Sequence, residues 1–438
     1  MSHSFSRREF LKKTAALTVG ATLTGPLLAA CVQAPAGAPA ASAGGSAAGS
    51  TPLTIWSIWD LDKEMKSSEL FDSFTQQTGN KVEHTFVAGD GWQEKFNAGA
   101  AGKQLPDIFV VDGINIAAYG SRNLITPASD FVDQKILDDY WPGILGEVRW
   151  QGKHWGLSIE LHSQGMVVNL DMLAEKGVKE VPKTWDEWVE MGKALTDEKA
   201  GVWGTNFPVG RNEYVAWWIS LFIAQNGGSL LTEDGTKAAI DQAGAVGALQ
   251  QLSDLVNVHK VAPGAAQIQA GPEGGFLGKR VASECTGSWN LLQWVKTPPP
   301  FKWTFAPVPH PAGKDDLQGI GGGWHFCQWK ETKNPDQTAK LMNFLAGDEW
   351  MTAAADRFRP MSPRKSIAEK RDDLKKEPWS WAMAILQIGH ANRPVHPQYP
   401  LITNAAQEAY DKIIIGKEAA QATMDQAAKA INDALANA

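Results

Sequence analysis

Nineteen tryptophans against five tyrosines invert normal aromatic usage, and several indoles stand where a core does not need them. Trp289 follows Gly287-Ser288 and Trp324 follows Gly321-Gly322-Gly323, so both rings are expected to be displayed rather than packed. Trp59 is joined to Asp60, and Asp112-Gly113-Ile114-Asn115 groups a carboxylate and an amide with a glycine that lets backbone approach a ligand. An aromatic face attracts patches of C–H by dispersion, while short carboxylates and amides exchange hydrogen bonds with hydroxyls. The same ingredients suit a polyhydroxylated ligand, a quaternary amine or polyamine boxed by cation–π attraction, or glycoside hydrolysis by paired carboxylates. For hydrolysis the candidates are Asp60, Asp112, Glu160 and Glu284, and no spacing singles out a pair. Two bland readings stay open: the indoles as core, and Asp60 as the cap of a following helix.

These residues need a scaffold, and the hydrophobic pattern supplies one. Residues 54–59 alternate as a first strand, and Leu70, Phe71 and Phe74 mark a helix closing at Gly79-Asn80. Residues 81–87 form a second strand, 92–101 a helix and 107–111 a short buried strand. Strand, helix, strand, helix, strand at this spacing predicts parallel βαβ units, whose ligands sit beyond the carboxyl ends of the strands. Trp59-Asp60 and Asp112-Gly113 therefore fall on binding loops. Strands near 156–159 and 166–169 flank Glu160-Leu161-His162-Ser163. Thr184 and Glu187 form a capping box for a helix over 184–196. Further helices span 214–225 and 245–258, and strands are expected at 276–283, 303–308 and 319–329. The last hundred or so residues read as mostly helical, broken by a Pro-rich stretch over 393–400.

The start of the chain is of a different kind. Ser6-Arg7-Arg8-Glu9-Phe10-Leu11-Lys12-Lys13 precedes an apolar, charge-free stretch that ends in Leu28-Ala29-Ala30-Cys31. A charged head, an apolar run and a small-residue junction read as an export signal over residues 1–30. The pattern resembles bacterial lipoprotein signals with a twin-arginine pair. That implies cleavage before Cys31, lipidation of its thiol and export in the folded state. An ordinary secretory signal with a chance Cys is the alternative. Residues 31–51 form the lipidated Cys and a linker, and 34–50 hold only Ala, Gly, Pro and Ser. Such a tether reaches roughly 20–25 Å. Lipid at Cys31 would hold the chain on the outer face of the cytoplasmic membrane.

Net charge is −7, and about −10 without the signal, with no basic patch that would favour nucleic acid. Cys285 and Cys327 have no metal-ligand spacing, and neither a nucleophile-elbow nor a zinc-protease motif occurs. Neither metal nor cofactor is called for.

Six stretches in order carry a resemblance. They are Gly102-Lys103-Gln104-Leu105-Pro106-Asp107-Ile108-Phe109, and Gly152-Lys153-His154-Trp155-Gly156-Leu157 leading to Asn169. Val181-Pro182-Lys183-Thr184-Trp185-Asp186-Glu187-Trp188 comes next, then Gly278-Lys279-Arg280-Val281-Ala282 running to Gly287-Ser288-Trp289. Gly321-Gly322-Gly323-Trp324 and Lys333-Asn334-Pro335 complete the set. Together they resemble the extracellular solute-binding proteins of ABC importers, in the large sugar-binding, maltose-binding-protein-like family. Val167-Val168 departs from the aromatic pair more usual in that family before its Asn.

The resemblance implies a two-lobed α/β periplasmic-binding-protein fold of type II. Each lobe is a mixed, mainly parallel sheet flanked by helices, hinged by crossover segments near 160–163, near 307–311 and after Phe344. Residues 52–160 and 307–345 would form lobe I, and 161–306 and 346–438 lobe II. The implied function is capture of a sugar or oligosaccharide in the cleft by hinge closure, as a monomer, and delivery to membrane permease subunits without catalysis. Around the cleft it implies roles for Trp59, Asp60, Asp112, Gly113, Asn115, Trp289, Gly323 and Trp324. His162 joins them at the crossover, with a structural histidine as the alternative, and Arg359, with a surface ion pair as the alternative. Of Trp217 and Trp218, at the start of a helix, one should face the cleft and the other the core.

Overall fold

The computed structural model describes residues 51–264, 274–314, 319–320, 322–388 and 393–437. The signal, the linker, Cys31 and Gly321 lie outside the described residues. The first half of the chain supplies β1 (Leu53–Ser57), β2 (Val82–Phe86), β3 (Ile108–Asp112) and β4 (Ile125–Thr126). A hairpin of β5 (Arg149–Trp150) and β6 (Lys153–His154) precedes β7 (Leu157–Ser158) and β8 (Gln164–Asn169). The later strands are β9 (Ser283–Gly287), β10 (Trp303–Ala306) and β11 (Trp324–Trp329).

Lobe I is built on the order β2-β1-β3-β11-β4, with β7 added on β11. The β2-β1-β3 core is parallel, as two βαβ crossovers require, whereas β11 runs antiparallel to β3, β4 and β7. Helix Ser67–Thr78 between β1 and β2 buries Leu70, Phe71 and Phe74 and stops at Gly79, whose φ of 77° suits glycine. The antiparallel register has a functional consequence. It sets Trp324, first in β11, opposite Asp112, last in β3.

The sheet of lobe II has the order β10-β8-β9, and both ladders are antiparallel. This corrects the expectation of a mainly parallel sheet there; parallel pairing is confined to single bridges such as Trp203 with Val281 and Asn206 with Glu284. All six residues of β8 are buried, Val167 and Val168 among them. Of the segment expected as a strand over 276–283, the first four residues are turn, Val281 makes a single bridge and only Ser283 belongs to a strand; the turn is pinned where the Phe276 amide donates to Glu284 Oε2 at 3.1 Å. Helices Glu213–Gln225, Ala243–Asn257, Tyr399–Ile414 and Ala420–Ala436 pack together against this sheet. The Thr184 capping box forms in full.

The chain passes between sheets at 159–163 and again after β10 and before β11. Its third passage comes later than expected. Helix Asp348–Arg357 packs on lobe I: Trp350 lies 5.3 Å from Phe71 between ring centroids, and Arg357 donates to Glu69 and the Met65 carbonyl. Arg364 then bonds Asp139 of lobe I at 2.8 Å. The chain joins lobe II only at helix Trp379–Ile388, which touches β8 and β10. The boundary drawn at 346 therefore moves past Ala368, because Trp350 and Arg357 face the core and edge of the first lobe. Cys285 and Cys327 are buried free thiols on different sheets. No helix among the described residues is long and apolar enough to cross a membrane.

Candidate functional site

A cleft of about 370 Å³ opens where the two sheets' strand ends face each other. Its walls are aromatic. Lobe I presents Trp59, after β1, and Trp324, 6.2 Å apart in an edge arrangement, with Phe358 packed behind Trp59 at 5.5 Å. Lobe II presents Tyr214, Trp217 and Trp289, with Trp289 5.7 Å from Trp217 and 5.9 Å from Tyr214.

Glycine decides where two of these rings lie. The Trp289 indole folds back over Gly287, so closely that any Cβ there would collide with it. Trp217 lies against Gly322, where a Cβ would come within 2.5 Å of the indole Nε1. That Nε1 donates to the Ile320 carbonyl at 3.3 Å. The glycines thus admit rings into close contact with backbone.

Two buried polar clusters flank the aromatics. In the first, at the crossover, Glu160 Oε2 accepts from His162 Nε2 at 2.8 Å and from Arg359 Nε at 3.0 Å. Burial alone would raise the Glu160 pKa, yet His162 and Arg359 outweigh it and bring the carboxyl down to about 2. In the second, one arginine meets three acids. Arg393 donates through Nη1 to Glu213 at 3.0 Å, and through Nη2 to Asp112 at 3.1 Å and Glu147 at 2.7 Å. Glu147 also bonds His325 Nε2 at 3.1 Å. Glu213 accepts from Tyr399 at 2.6 Å and Thr403 at 2.8 Å. Here burial pushes Asp112 up to about 6; Arg393 opposes that rise while Glu147 and Glu213 add to it.

Of the residues expected at the site, Trp59, Asp112, His162, Trp217, Trp289, Gly323, Trp324 and Arg359 line the cleft. Three expectations are corrected. Asp60 caps helix Leu61–Met65, its carboxylate accepting from the Lys63 amide at 3.2 Å. Gly113 makes room for the Glu147 side chain, which a Cβ would strike, and donates its N–H to the Gly323 carbonyl. Asn115 ends the short turn Gly113–Asn115, against which helix Tyr399–Ile414 packs, and is not among the lining residues. Of the tryptophan pair, Trp217 faces the cleft and Trp218 takes the core place, wholly buried in lobe II beside Phe222.

Sequence reasoning missed Glu213, Tyr214 and Arg393 in the lining, and Glu147 behind it. Glu213 carried a faint signal, an acid directly after the N-cap Asn212 of a helix whose next residues are nearly all apolar. Arg393 carried none beyond its place in a Pro-rich connection.

Against this geometry the comparisons are specific. A family profile described as bacterial extracellular solute-binding protein matches residues 63–352. The chain belongs to that family. Membership implies an extracytoplasmic location, and the matched relatives are binding proteins. The diacetylchitobiose binding protein DasA of Streptomyces coelicolor is 26% identical over 185 residues, a stretch covering 42% of each chain. The match therefore spans less than half the length of that relative. A probable ABC transporter-binding protein of Deinococcus radiodurans is 22% identical over 369 residues, covering 80% of this chain and 85% of that one. Among solved structures, the cyclic alpha-maltosyl-1,6-maltose binding protein of Arthrobacter globiformis superposes with a TM-score of 0.76 at 22% identity. That alignment covers 89% of this chain and all of the other. At that identity the likeness is one of fold, and it is two-lobed α/β throughout.

Proposed function

We propose that this solute-binding protein captures a sugar or oligosaccharide between its lobes and hands it to the permease of an ABC importer. The observation that carries the reading is the pair of facing aromatic walls, Trp59 and Trp324 from one lobe and Tyr214, Trp217 and Trp289 from the other, around one cleft. Stacked C–H patches of pyranose rings fit such walls, and Asp112, Glu160 and Arg359 at the edges supply acceptors and donors for hydroxyls. The relatives named for diacetylchitobiose and for cyclic maltosyl-maltose support the same ligand class.

Closure about the crossovers would desolvate the ligand, so a sugar lacking one bonded hydroxyl would be rejected strongly. Lipid at Cys31 would keep the monomeric receptor close to its permease and raise the local concentration there. The cleft binds without turnover. Of the four acids considered for hydrolysis, Asp60 and Glu284 lie outside the lining, and the two that line it, Asp112 and Glu160, are each engaged in buried ion pairs, Asp112 with Arg393 and Glu160 with Arg359 and His162. An amine ligand is disfavoured because Arg359 and Arg393 stand among the acids that would have to greet it. A thermal-shift screen tests the reading. Neutral oligosaccharides are expected to raise the melting temperature, while betaine, choline and polyamines leave it unmoved. The reverse pattern refutes the proposal.

A further inference from the structure

Arg393 belongs to the connection between helices Trp379–Ile388 and Tyr399–Ile414, both packed on lobe II. Its side chain is 4% exposed. From behind, on its own lobe, it is anchored by Glu213, which is fixed in turn by Tyr399, Thr403 and Gln407. Ahead, its Nη2 enters between two carboxylates of lobe I, Asp112 at the end of β3 and Glu147 at the end of helix Pro142–Glu147. Glu147 is braced by His325 of β11, and the space it occupies exists because residue 113 is glycine. The guanidinium is the only group in the cleft lining whose described ion pairs join both lobes with every acid outside its own neighbourhood in sequence.

We propose that Arg393 is an inter-lobe latch, a buried fork that ties lobe II to lobe I and biases the hinge towards closure whether or not ligand is bound. The inference rests on ion pairs across the lobes and does not depend on the ligand being a sugar. Opening the cleft would take the cation from Glu147 and leave Arg393 on Glu213 alone. A planar, always-charged guanidinium can meet three carboxylates at once; an ammonium is a point donor on a flexible stem and cannot reproduce that geometry.

The latch carries more acid than base. Asp112, Glu147 and Glu213 face Arg393, with Tyr399 beside them and His325 behind Glu147, while Glu160, His162 and Arg359 line the same cleft. Opening would rehydrate Asp112 and return it towards ordinary carboxylate behaviour, so the closed form is the one that takes up the proton. Mild acid should therefore tighten the latch by removing one of the crowded charges.

Small-angle X-ray scattering on the ligand-free protein tests this. Arg393→Met is expected to raise the radius of gyration by about 1 Å over about 21 Å at neutral pH. Arg393→Lys should open the lobes partway. Asp112→Asn keeps an acceptor for Nη2 and should stay closed, losing the small contraction that the parent protein shows between pH 7.5 and 5. Circular dichroism checks folding, and if Arg393→Met does not fold, Arg393→Lys decides. A folded Arg393 variant with the parent radius overturns the latch, as does an Asp112→Asn protein as open as Arg393→Met. Since no ligand is present, failure of the sugar reading leaves these outcomes unchanged.

Discussion

Two buried charge clusters border one cleft, and they are built with opposite ratios. At the crossover a single carboxylate, Glu160, faces Arg359 and His162. Beside β3 a single guanidinium, Arg393, faces Asp112, Glu147 and Glu213. Burial penalises the ionised carboxylate in both places, yet the outcome reverses: Glu160 falls to about 2 and Asp112 rises to about 6. At Asp112 burial prevails, and at Glu160 it is outweighed. The balance of partners decides whether burial is outweighed, which is why a buried acid can be a fixed anchor on one side of a cleft and a titrating group on the other.

The contrast can be broken most forcefully at the arginines. Arg393→Met leaves three acids without their shared cation and is expected to cost on the order of 3–5 kcal/mol of folding stability. Arg359→Met, at 23% exposure and with one acid partner, should cost about 1–2 kcal/mol. Denaturant unfolding measures both, and equal losses would erase the distinction.

A pH series sharpens it further. Glu160 has a depressed pKa, so its contribution is present above about pH 4.5 and lost as pH falls towards 2. Asp112 has a raised pKa, so its contribution is present below about pH 4 and lost as pH rises through about 6. Each amounts to about 3 kcal/mol by the size of its shift. Glu160→Gln should flatten only the acid limb of the stability profile, and Asp112→Asn only the segment between pH 4 and 6. If either variant flattened the other's segment, the assignment would be wrong.

The smallest effect expected is at Asp60. Asp60→Ala removes a helix cap and should cost about 1 kcal/mol of stability while leaving ligand affinity untouched. Loss of affinity in that variant would return Asp60 to the site.

Local signals carried much of this molecule. The βαβ spacing located Trp59 just past the end of β1 and Asp112 at the end of β3, and the small residues before Trp289 and Trp324 marked rings that reach the cleft. The same glycine logic misjudged Gly113, whose missing side chain serves Glu147 rather than a ligand, because sequence shows that space is needed and not which neighbour fills it. Asp60 offered a cap and a contact with equal force, and only the direction of the helix chose. Arg393 was illegible because its meaning comes from Asp112, Glu147 and Glu213, each more than a hundred residues distant. The late third passage between lobes was equally hidden, since the packing of Trp350 on Phe71 leaves no mark on periodicity.

The central claim is that both aromatic walls grip one saccharide. Isothermal titration calorimetry of the sugar that stabilises the protein most, on the parent protein, Trp59→Ala and Trp289→Ala, tests it most directly. Each substitution is expected to weaken binding about thirtyfold, about 2 kcal/mol, as removal of a central aromatic contact should. Parent-like affinity with either wall removed would contradict a ligand held between them.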